Sequence, residues 1–551
     1  QGEALGDAQA AQTGDATGAL SLTGTFRNVQ NAQIYSIVPD PRSDGAGLRV
    51  SWLDNIALLT RTGAEEYQGP WMSSAGTLEG ELFVCKDPSG AVTVQRREQR
   101  ERGWKHSWTT QRLSEDELNS KYVGHRAIQQ ALAGRATQLV RGTWLVERSR
   151  SGGALPRRQD APPEAFWNPA ELMENLADTV LVALSYAWET ATHPDPRATQ
   201  LAAVVRVLEQ RFSARFPSGE PIVKDVAMFW DWLSLPQQPR ATEQDSTMFK
   251  SGLQSVNLWY THPLVETWLL TSNSPGVKPY GERGWPTFEC GVSGLITPAH
   301  ALLDIGKFDA ECVSWPTTLQ KLKSGRPAPA LPEVFSQKLA AKTFTNNSDH
   351  AFVEGKYRDT FLEVMGSVDN LDFSNLDWGE VECRELASAL AHCRQLQVLM
   401  LIQNSIDDSG ISVLAAALPQ CACLQHLNLK GNAIGDAGAE QLAAALPQNP
   451  ELHVVRLSHN KIGNRGAAAL AHALPRCAGL QHLVLANNKI GYPGGLALGK
   501  ALPECANLYW IELRGLHASL GKEDKMKDEM TNLLREWTRG TTNGKRRLST
   551  Y

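Results

Sequence analysis

The 551-residue sequence lacks a long apolar run, an excess of positive charge and a compact cysteine framework. Its best apolar stretch, TVLVALSYAW, is half of the roughly 20 residues that a helix needs to cross a bilayer, so no membrane span is expected. The formal net charge of −5 argues against a nucleic-acid-binding protein. Nine cysteines, an odd number without framework spacing, are typical of reduced thiols, so the expected location is cytoplasmic.

The sequence also lacks the motifs of several enzyme classes. No G-x-x-x-x-G-K-[ST] phosphate loop occurs, which argues against a nucleotide-driven switch. Cys421 and Cys423 have no second Cys/His pair nearby, so no metal site and no bound cofactor are expected. His193, His262 and His300 follow no metal-ligand spacing either. The stretch GVSGL lies outside the strand–turn–helix context that a serine nucleophile requires.

The length and the changes of composition along the chain predict a multidomain α/β protein. Short alternating runs such as ELFVCKD and AVTVQRR, separated by turn residues, predict strands in the N-terminal part. The expected segments are a disordered lead-in (1–22), a small β-rich sandwich or barrel (23–123), a helix and Pro/Gly-rich linker (124–174), a parallel-sheet α/β domain (175–300), a helical extension (301–367), repeats (368–520), and a capping helix with a frayed basic tail (521–551).

Strand-like and helix-like patterns alternate in the central segment. The runs DTVLVALSY, PIVKDVAMFWD and LVETWLLT predict buried strands, and the amphipathic stretches between them predict helices. This order implies a parallel sheet with right-handed crossovers. Ligands bind beyond the carboxyl ends of such strands. There the chain places Ser185-Tyr186-Ala187-Trp188, Asp231, and the loop that leads to Trp285 and Glu289.

A 28-residue repeat begins at Leu396, Leu424, Leu452, Leu480 and Leu508, with a degenerate copy at Val368. The units, such as LQHLNLKGN followed by a helix, resemble leucine-rich repeats of the long ribonuclease-inhibitor type, which form a horseshoe. Asn404, Asn432, Asn460 and Asn488 match the asparagine of that family that satisfies backbone groups at the turn. Cys393, Cys421, Cys477 and Cys505 fall three residues before their strands and are interpreted as buried apolar fillers.

The central segment, residues 175–300, resembles a Toll/interleukin-receptor (TIR) domain. The resemblance rests on four landmarks in order: VLVALSYAW, MFWDWLSLPQ, FKSGLQSVNLWYTHPLVETWLLT, and Trp285-Pro286-Thr287-Phe288-Glu289 in place of a Trp-Cys-x-x-Glu signature. Gly284 stands where the family often has Ser. The run ALSYAW is also similar to fungal heterokaryon-incompatibility domains, a related self-recognition class.

The resemblance implies an NAD glycohydrolase, with NAD as a substrate and Glu289 as the catalytic carboxylate. Cleavage of an N-glycosidic bond generates an oxocarbenium-like ribose, which a carboxylate stabilises. The implied substrate-binding residues are Tyr186, Ala187, Trp188 and Asp231, with Trp285 or Trp188 stacking on the nicotinamide ring. The planar guanidinium of Arg283 suits a phosphate of the substrate, and the alternative is an exposed surface arginine.

The residues alone leave a second interpretation open, because many TIR domains are adaptors that self-associate and cleave nothing. Glu289 is then a carboxylate favoured in the first turn of a helix by its dipole. Asp231 then has a structural role as a cap, and Tyr186 and Trp188 are core aromatics.

The repeats are expected to bind a protein partner on their concave face, through outward residues of each strand. Tryptophan and arginine often dominate binding energy, so the expected anchors are Arg456, Trp510 and Arg514, with His426 and His482 beside them. The chain is therefore interpreted as a signalling or sensor protein. The alternatives are a non-catalytic scaffold and, less favoured, a GTPase regulator with the same repeats.

Overall fold

The computed structural model describes residues 120–515 apart from 123–124, 177–178, 216–218, 220 and 347. It also describes eight strands between residues 24 and 112, a helix at Asp524–Arg539 and a strand at Arg547–Ser549. The predicted lead-in, residues 1–22, lies outside the described residues. Within the described part of the chain, no helix is both long enough and apolar enough to span a membrane.

The N-terminal segment contributes one antiparallel sheet. Each strand pairs with the next along the chain and β1 pairs with β8, so the sheet closes on itself. Leu82 and Val84 on one strand, and Val92 and Val94 on the next, are buried at alternate positions, as one inward face requires. The strands are β1 (Gly24–Asn28), β2 (Ile34–Pro39), β3 (Gly47–Trp52), β4 (Asn55–Arg61), β5 (Glu66–Ser73), β6 (Leu78–Lys86), β7 (Val92–Glu98) and β8 (His106–Arg112).

The central sheet has five strands in the order β13-β12-β10-β11-β9. Four of them are parallel, and β9 is antiparallel to β11 at the edge. The strands are β9 (Val140–Arg141), β10 (Thr179–Tyr186), β11 (Asp225–Phe229), β12 (Val265–Leu270) and β13 (Leu302–Asp304). The segments containing β9 and β13 were expected to be linker and helical, because strands of two and three residues carry no periodicity.

Helices cover both faces of this sheet. Leu181 and Ala183 of β10 enter one hydrophobic core, whereas Val182 and Leu184 enter a second core on the other face. The predicted single helix after β11 is two helices that break at Ser255. The helices up to the repeats are α1 (Arg126–Ala133), α2 (Gly142–Ser151), α3 (Pro169–Glu174), α4 (Thr199–Ser213), α5 (Asp231–Ser234), α6 (Glu243–Gln254), α7 (Val256–Thr261), α8 (Gly284–Ile296), α9 (Trp315–Leu322), α10 (Pro332–Ala340) and α11 (Asp349–Ser367).

The C-terminal sheet repeats at the predicted interval. Its parallel strands are β14 (Asn370–Asp372), β15 (Val398–Met400), β16 (His426–Asn428), β17 (Val454–Arg456), β18 (His482–Val484), β19 (Trp510–Glu512) and β20 (Arg547–Ser549). The helices are α12 (Glu380–Leu390), α13 (Asp408–Ala417), α14 (Asp436–Ala445), α15 (Asn464–Ala473), α16 (Tyr492–Ala501) and α17 (Asp524–Arg539). The tail predicted to be frayed instead pairs with β19 through β20, because an edge strand offers unpaired backbone groups.

The predicted asparagines form a ladder between successive repeats. The Asn432 amide donates to the carbonyl oxygens of Leu401 at 2.8 Å and Leu429 at 3.0 Å. Its Oδ1 accepts from the backbone N–H of Ile406 at 3.2 Å. Asn460 and Asn488 make the same set of bonds one and two repeats later. These bonds satisfy backbone groups that the turns would otherwise bury unpaired.

Arg326 joins the central domain to the first repeat. Its guanidinium is buried and donates to the carbonyl oxygens of Gly294, Leu295 and Thr297 at the end of α8, at 2.5–3.0 Å. It also donates to the carbonyl oxygen of Asp372 in β14 at 3.0 Å. A helix leaves its last carbonyls unpaired, so one arginine both caps α8 and holds it against the repeats. Hydrophobic side chains of α8, α11 and the repeats share one core.

Candidate functional site

Glu289 lies in a buried cluster of hydroxyl groups at the carboxyl end of β10. It is on the second turn of α8, and its Oε2 accepts from the Ser185 hydroxyl at 2.5 Å. The Tyr280 hydroxyl lies 2.6 Å from the same Ser185 oxygen. The Tyr260 hydroxyl donates to the Leu184 carbonyl at 2.9 Å and is also hydrogen-bonded to Glu289. A continuous chain of hydrogen bonds therefore links Tyr280, Ser185 and Glu289.

Burial controls the protonation of this carboxyl. It raises the pKa of Glu289 to about 8, against the lowering effect of the Ser185 hydrogen bond, and the charge of Asp231 raises the pKa further. Near neutral pH most molecules therefore hold Glu289 protonated. A carboxylic acid with a pKa in this range donates or accepts a proton readily, which suits general acid–base chemistry.

Asp231 forms the second carboxylate of the site, at the carboxyl end of β11. The Tyr186 hydroxyl donates to its Oδ1, and the Trp188 indole donates to Oδ2 at 3.2 Å. Its Oδ1 also accepts from the backbone N–H of Trp232 at 2.6 Å, at the start of the short helix α5. Burial raises the pKa of Asp231, and these hydrogen bonds oppose that shift. Three donors hold the carboxylate in place.

The loop after β10 is tied to the residue before α8. Arg283 donates from Nη2 to the Trp188 carbonyl at 3.1 Å, and burial lowers the pKa of its guanidinium. The Trp188 ring packs edge-on against Trp232, with 5.5 Å between ring centroids. The buried Ala187 accepts at its carbonyl from the Gln200 amide at 2.7 Å. The structure thus brings Trp188, Arg283 and Asp231 into one network beside Glu289.

Trp285 contacts different elements. Its indole donates to Asp349 Oδ2 at 2.9 Å, and its ring packs against Phe288 and Phe352. These contacts belong to the junction between α8 and α11, not to the Asp231 network. Next to it, an added Cβ at Gly284 would lie 2.0 Å from the Phe344 ring, which explains a glycine at this position.

Sequence reasoning did not select Ser185, Tyr260 and Tyr280 as site residues. A signal existed for two of them, because Ser185 precedes Tyr186 at the strand end and Tyr280 precedes the Gly-Glu-Arg-Gly-Trp run. No pattern marks Tyr260, which lies in α7 and reaches Glu289 only through the packing of that helix against α8.

The second candidate site is the outer surface of the repeat strands, which we call the repeat face. The middle residue of each strand, such as Leu427 or Leu483, is buried in the core, so the residues on either side of it point away from the core. The outward residues of the five predicted units are Val398, Met400, His426, Asn428, Val454, Arg456, His482, Val484, Trp510 and Glu512.

Arg456 is half-buried at the centre of the repeat face. Among the side chains that the structure describes, it has no hydrogen-bond or ion-pair partner. Burial lowers the pKa of its guanidinium, and the charge of Glu512 opposes that shift. Burial and the charge of Arg456 also lower the pKa of His426, to about 4, and that of His482. Of the three residues Arg456, His426 and His482, only Arg456 therefore carries a positive charge near neutral pH.

Aromatic side chains lie at the C-terminal end of the repeat face. The His482 ring is 4.6 Å from the Tyr509 ring and 6.1 Å from Trp510, and its Nε2 lies 2.6 Å from the Tyr509 hydroxyl. Arg514 is exposed but donates from Nε to the buried Glu512 at 2.5 Å, so this predicted anchor already has an ionic partner.

A comparison with family models decides the nature of the C-terminal segment. The model described as "Leucine Rich repeat" matches residues 420–443, 448–471 and 477–499. These residues are leucine-rich repeats. The match confirms the prediction of leucine-rich repeats for these residues. The parallel strand register continues on both sides of them, because β14 and β15 pair before the matched residues and β19 pairs after them.

Comparisons with other proteins return distant likenesses. No curated protein matches the chain. Similar solved structures include the actin-binding site 2 of leiomodin-1, with 16% identity, 33% of this chain and 87% of that chain covered, and a TM-score of 0.22. A TDR receptor has 18% identity and a TM-score of 0.19, and the match covers 30% of this chain and 33% of the receptor chain. An internalin from Listeria monocytogenes has 12% identity, with 54% and 82% covered and a TM-score of 0.20.

Among the described residues, no three His, Cys, Asp or Glu side chains are grouped so that they could hold a metal ion. Cys393, Cys421 and Cys505 are buried, whereas Cys477, which was predicted to be buried, is only half-buried. Burial raises the pKa of the Cys393 thiol to about 12. Such thiols are protonated and fill space between repeats.

Proposed function

We propose that this protein is an interaction protein whose leucine-rich repeats bind a protein partner on the repeat face. Leucine-rich repeats generally mediate protein–protein interaction, and the observation that carries the proposal is the composition of this face. An apolar group of Val398, Met400 and Ile402 lies at one end, and Trp510 lies at the other. Arg456 stands between them. Tryptophan and arginine are among the side chains that most often dominate binding energy in interfaces.

Retention of binding proteins by variant chains tests this proposal. Immobilised wild-type chain is compared with a Trp510→Ala, Met400→Ala double variant and with Arg465→Ala, which lies on the helix side in an ion pair with Glu440. The partner should be lost from the double variant and retained by Arg465→Ala. Loss confined to the helix-side variant would place the interface on the opposite surface.

As a second candidate function, we propose that the Glu289 cluster hydrolyses the N-glycosidic bond of NAD. The specific observation is a buried glutamate that is hydrogen-bonded by Ser185 at the carboxyl ends of parallel strands. The nicotinamide ring of NAD is cationic, and a nearby cation favours the ionised form of a carboxyl group. Substrate binding would thus lower the raised pKa of Glu289 and produce the carboxylate that stabilises an oxocarbenium-like ribose.

The release of nicotinamide from NAD tests this second function. The purified chain is incubated with NAD, both dilute and concentrated, and compared with Glu289→Gln and with Glu282→Gln, an exposed glutamate seven residues earlier. Turnover should disappear in Glu289→Gln and persist in Glu282→Gln. Equal turnover in Glu289→Gln would refute the role of this residue. A wild-type chain that releases no nicotinamide at either concentration would support the adaptor alternative.

A further inference from the structure

Arg456 is a half-buried cation on the repeat face, and among the described side chains it has no anionic hydrogen-bond or ion-pair partner. Its neighbours by strand register are Asn428 on one side and Val484 on the other, neither of which can neutralise a charge. A guanidinium that has lost part of its hydration without gaining a partner costs free energy in the unbound protein. An anion that binds to the guanidinium offsets this cost, so the position of Arg456 favours the binding of an anionic ligand.

The groups around Arg456 indicate which anion fits. His426 and His482 lie diagonal to it on the adjacent strands, and their lowered pKa values leave them neutral near pH 7. Neutral imidazoles donate hydrogen bonds but add no charge. Lys430 is exposed one strand away, and Glu512, paired with Arg514, adds negative charge two strands away. One planar guanidinium with neutral donors beside it matches a carboxylate, whereas phosphate sites usually combine several cations.

We propose that Arg456 binds an aspartate or glutamate side chain of an extended peptide segment of the partner, and that His426 and His482 flank this carboxylate. This inference rests on the proposed function of the repeat face. It adds the chemical class of the anchor residue, which the binding proposal leaves open.

The register also sets the spacing of the partner residues. Met400 lies two strands before Arg456 in the same register. Trp510 lies two strands after it, two residues before the register position that Glu512 occupies. Adjacent strands are about 4.8 Å apart, so each of these anchors is roughly 10 Å from Arg456 along the sheet. An extended peptide advances about 3.3 Å per residue and covers that distance in about three residues. The expected partner segment therefore has an acidic residue with apolar or aromatic residues about three positions away on each side.

Selection from a random peptide library displayed on phage tests the inference. Twelve-residue peptides are selected on the full wild-type chain and, in parallel, on Arg456→Gln, Arg465→Gln and the Trp510→Ala, Met400→Ala variant. Peptides enriched on wild type and on Arg465→Gln should contain an acidic residue with the expected spacing. Their affinity, measured by fluorescence anisotropy, should fall about tenfold or more on Arg456→Gln, as expected for a charge-assisted bidentate pair. Replacing the peptide Asp by Asn should cause a similar loss and add little to Arg456→Gln.

Other outcomes separate the two proposals. The enriched peptides could bind Arg456→Gln as tightly as wild type and yet fail to bind the Trp510→Ala, Met400→Ala variant. That result would overturn the carboxylate site and leave the repeat face as the interface. Tighter binding of the same peptide with phosphoserine in place of Asp would assign the site to phosphate instead. Failure to enrich any peptide on wild type over the doubly substituted variant would overturn both proposals.

Discussion

The raised pKa of Glu289 makes a quantitative prediction about stability. Its ordinary pKa is 4.5 and its pKa in the folded protein is about 8. Below pH 4.5 both the folded and the unfolded chain hold the proton, so this group does not affect stability. Between these values only the unfolded chain ionises, and the free energy of unfolding falls by about 1.4 kcal/mol per pH unit. The full loss, about 5 kcal/mol, is reached near pH 8 and does not grow above it.

Glu289→Gln removes this loss because glutamine keeps the shape of the side chain and never ionises. The difference in unfolding free energy between Glu289→Gln and wild type should therefore shift in favour of the variant by about 5 kcal/mol between pH 4.5 and pH 8. Urea denaturation of both chains across this range measures the difference. Contributions of titratable groups that do not interact with Glu289 cancel on subtraction. Glu282→Gln, at an exposed position, should show no comparable trend. A pH-independent difference for Glu289→Gln would refute the burial argument.

Three further substitutions test the contacts that position the two sites. Arg326→Met should lower the unfolding free energy, measured by urea denaturation, by about 4 kcal/mol, because four carbonyl oxygens each lose a hydrogen bond of roughly 1 kcal/mol. The control variant Arg358→Met, at an exposed position, should change it little. Gly284→Ala should lower the melting temperature through an overpacking cost of about 1–3 kcal/mol, and Phe344→Ala in the same chain should relieve that clash. Asn432→Ala should cost about 3 kcal/mol by calorimetry because three hydrogen bonds are lost, two of them to the preceding repeat. An effect below about 1 kcal/mol would contradict the ladder argument.

The contact through Arg326 places the two candidate sites on one connected core. Glu289 lies near the start of α8, and Arg326 binds the last carbonyls of the same helix together with the first repeat strand. The Trp378 indole donates to the Arg326 carbonyl at 2.8 Å and completes this junction. The two sites are therefore parts of one packed unit, and a substitution at the junction should affect both the Glu289 cluster and the repeat face.

The sequence by itself determined the features that repeat or alternate. The 28-residue interval, the ladder asparagines and the buried middle residues of the repeat strands all follow from period and composition, because each repeat makes the same contacts with the next. The alternation of strands and helices likewise placed Tyr186, Asp231 and Glu289 at one edge of a parallel sheet, where the structure has them.

Only the tertiary structure decided the contacts between residues far apart in the chain. The bond from Ser185 to Glu289 spans 104 residues, and the bond from Arg326 to Asp372 joins a segment with no recognisable pattern to the first repeat. The direction of Trp285 toward Asp349 was equally invisible in the sequence, as was the lack of a partner for Arg456 among the side chains that the structure describes. Period and composition show which face of an element is buried, but hydrogen-bond partners and pKa shifts depend on what the fold brings against that face.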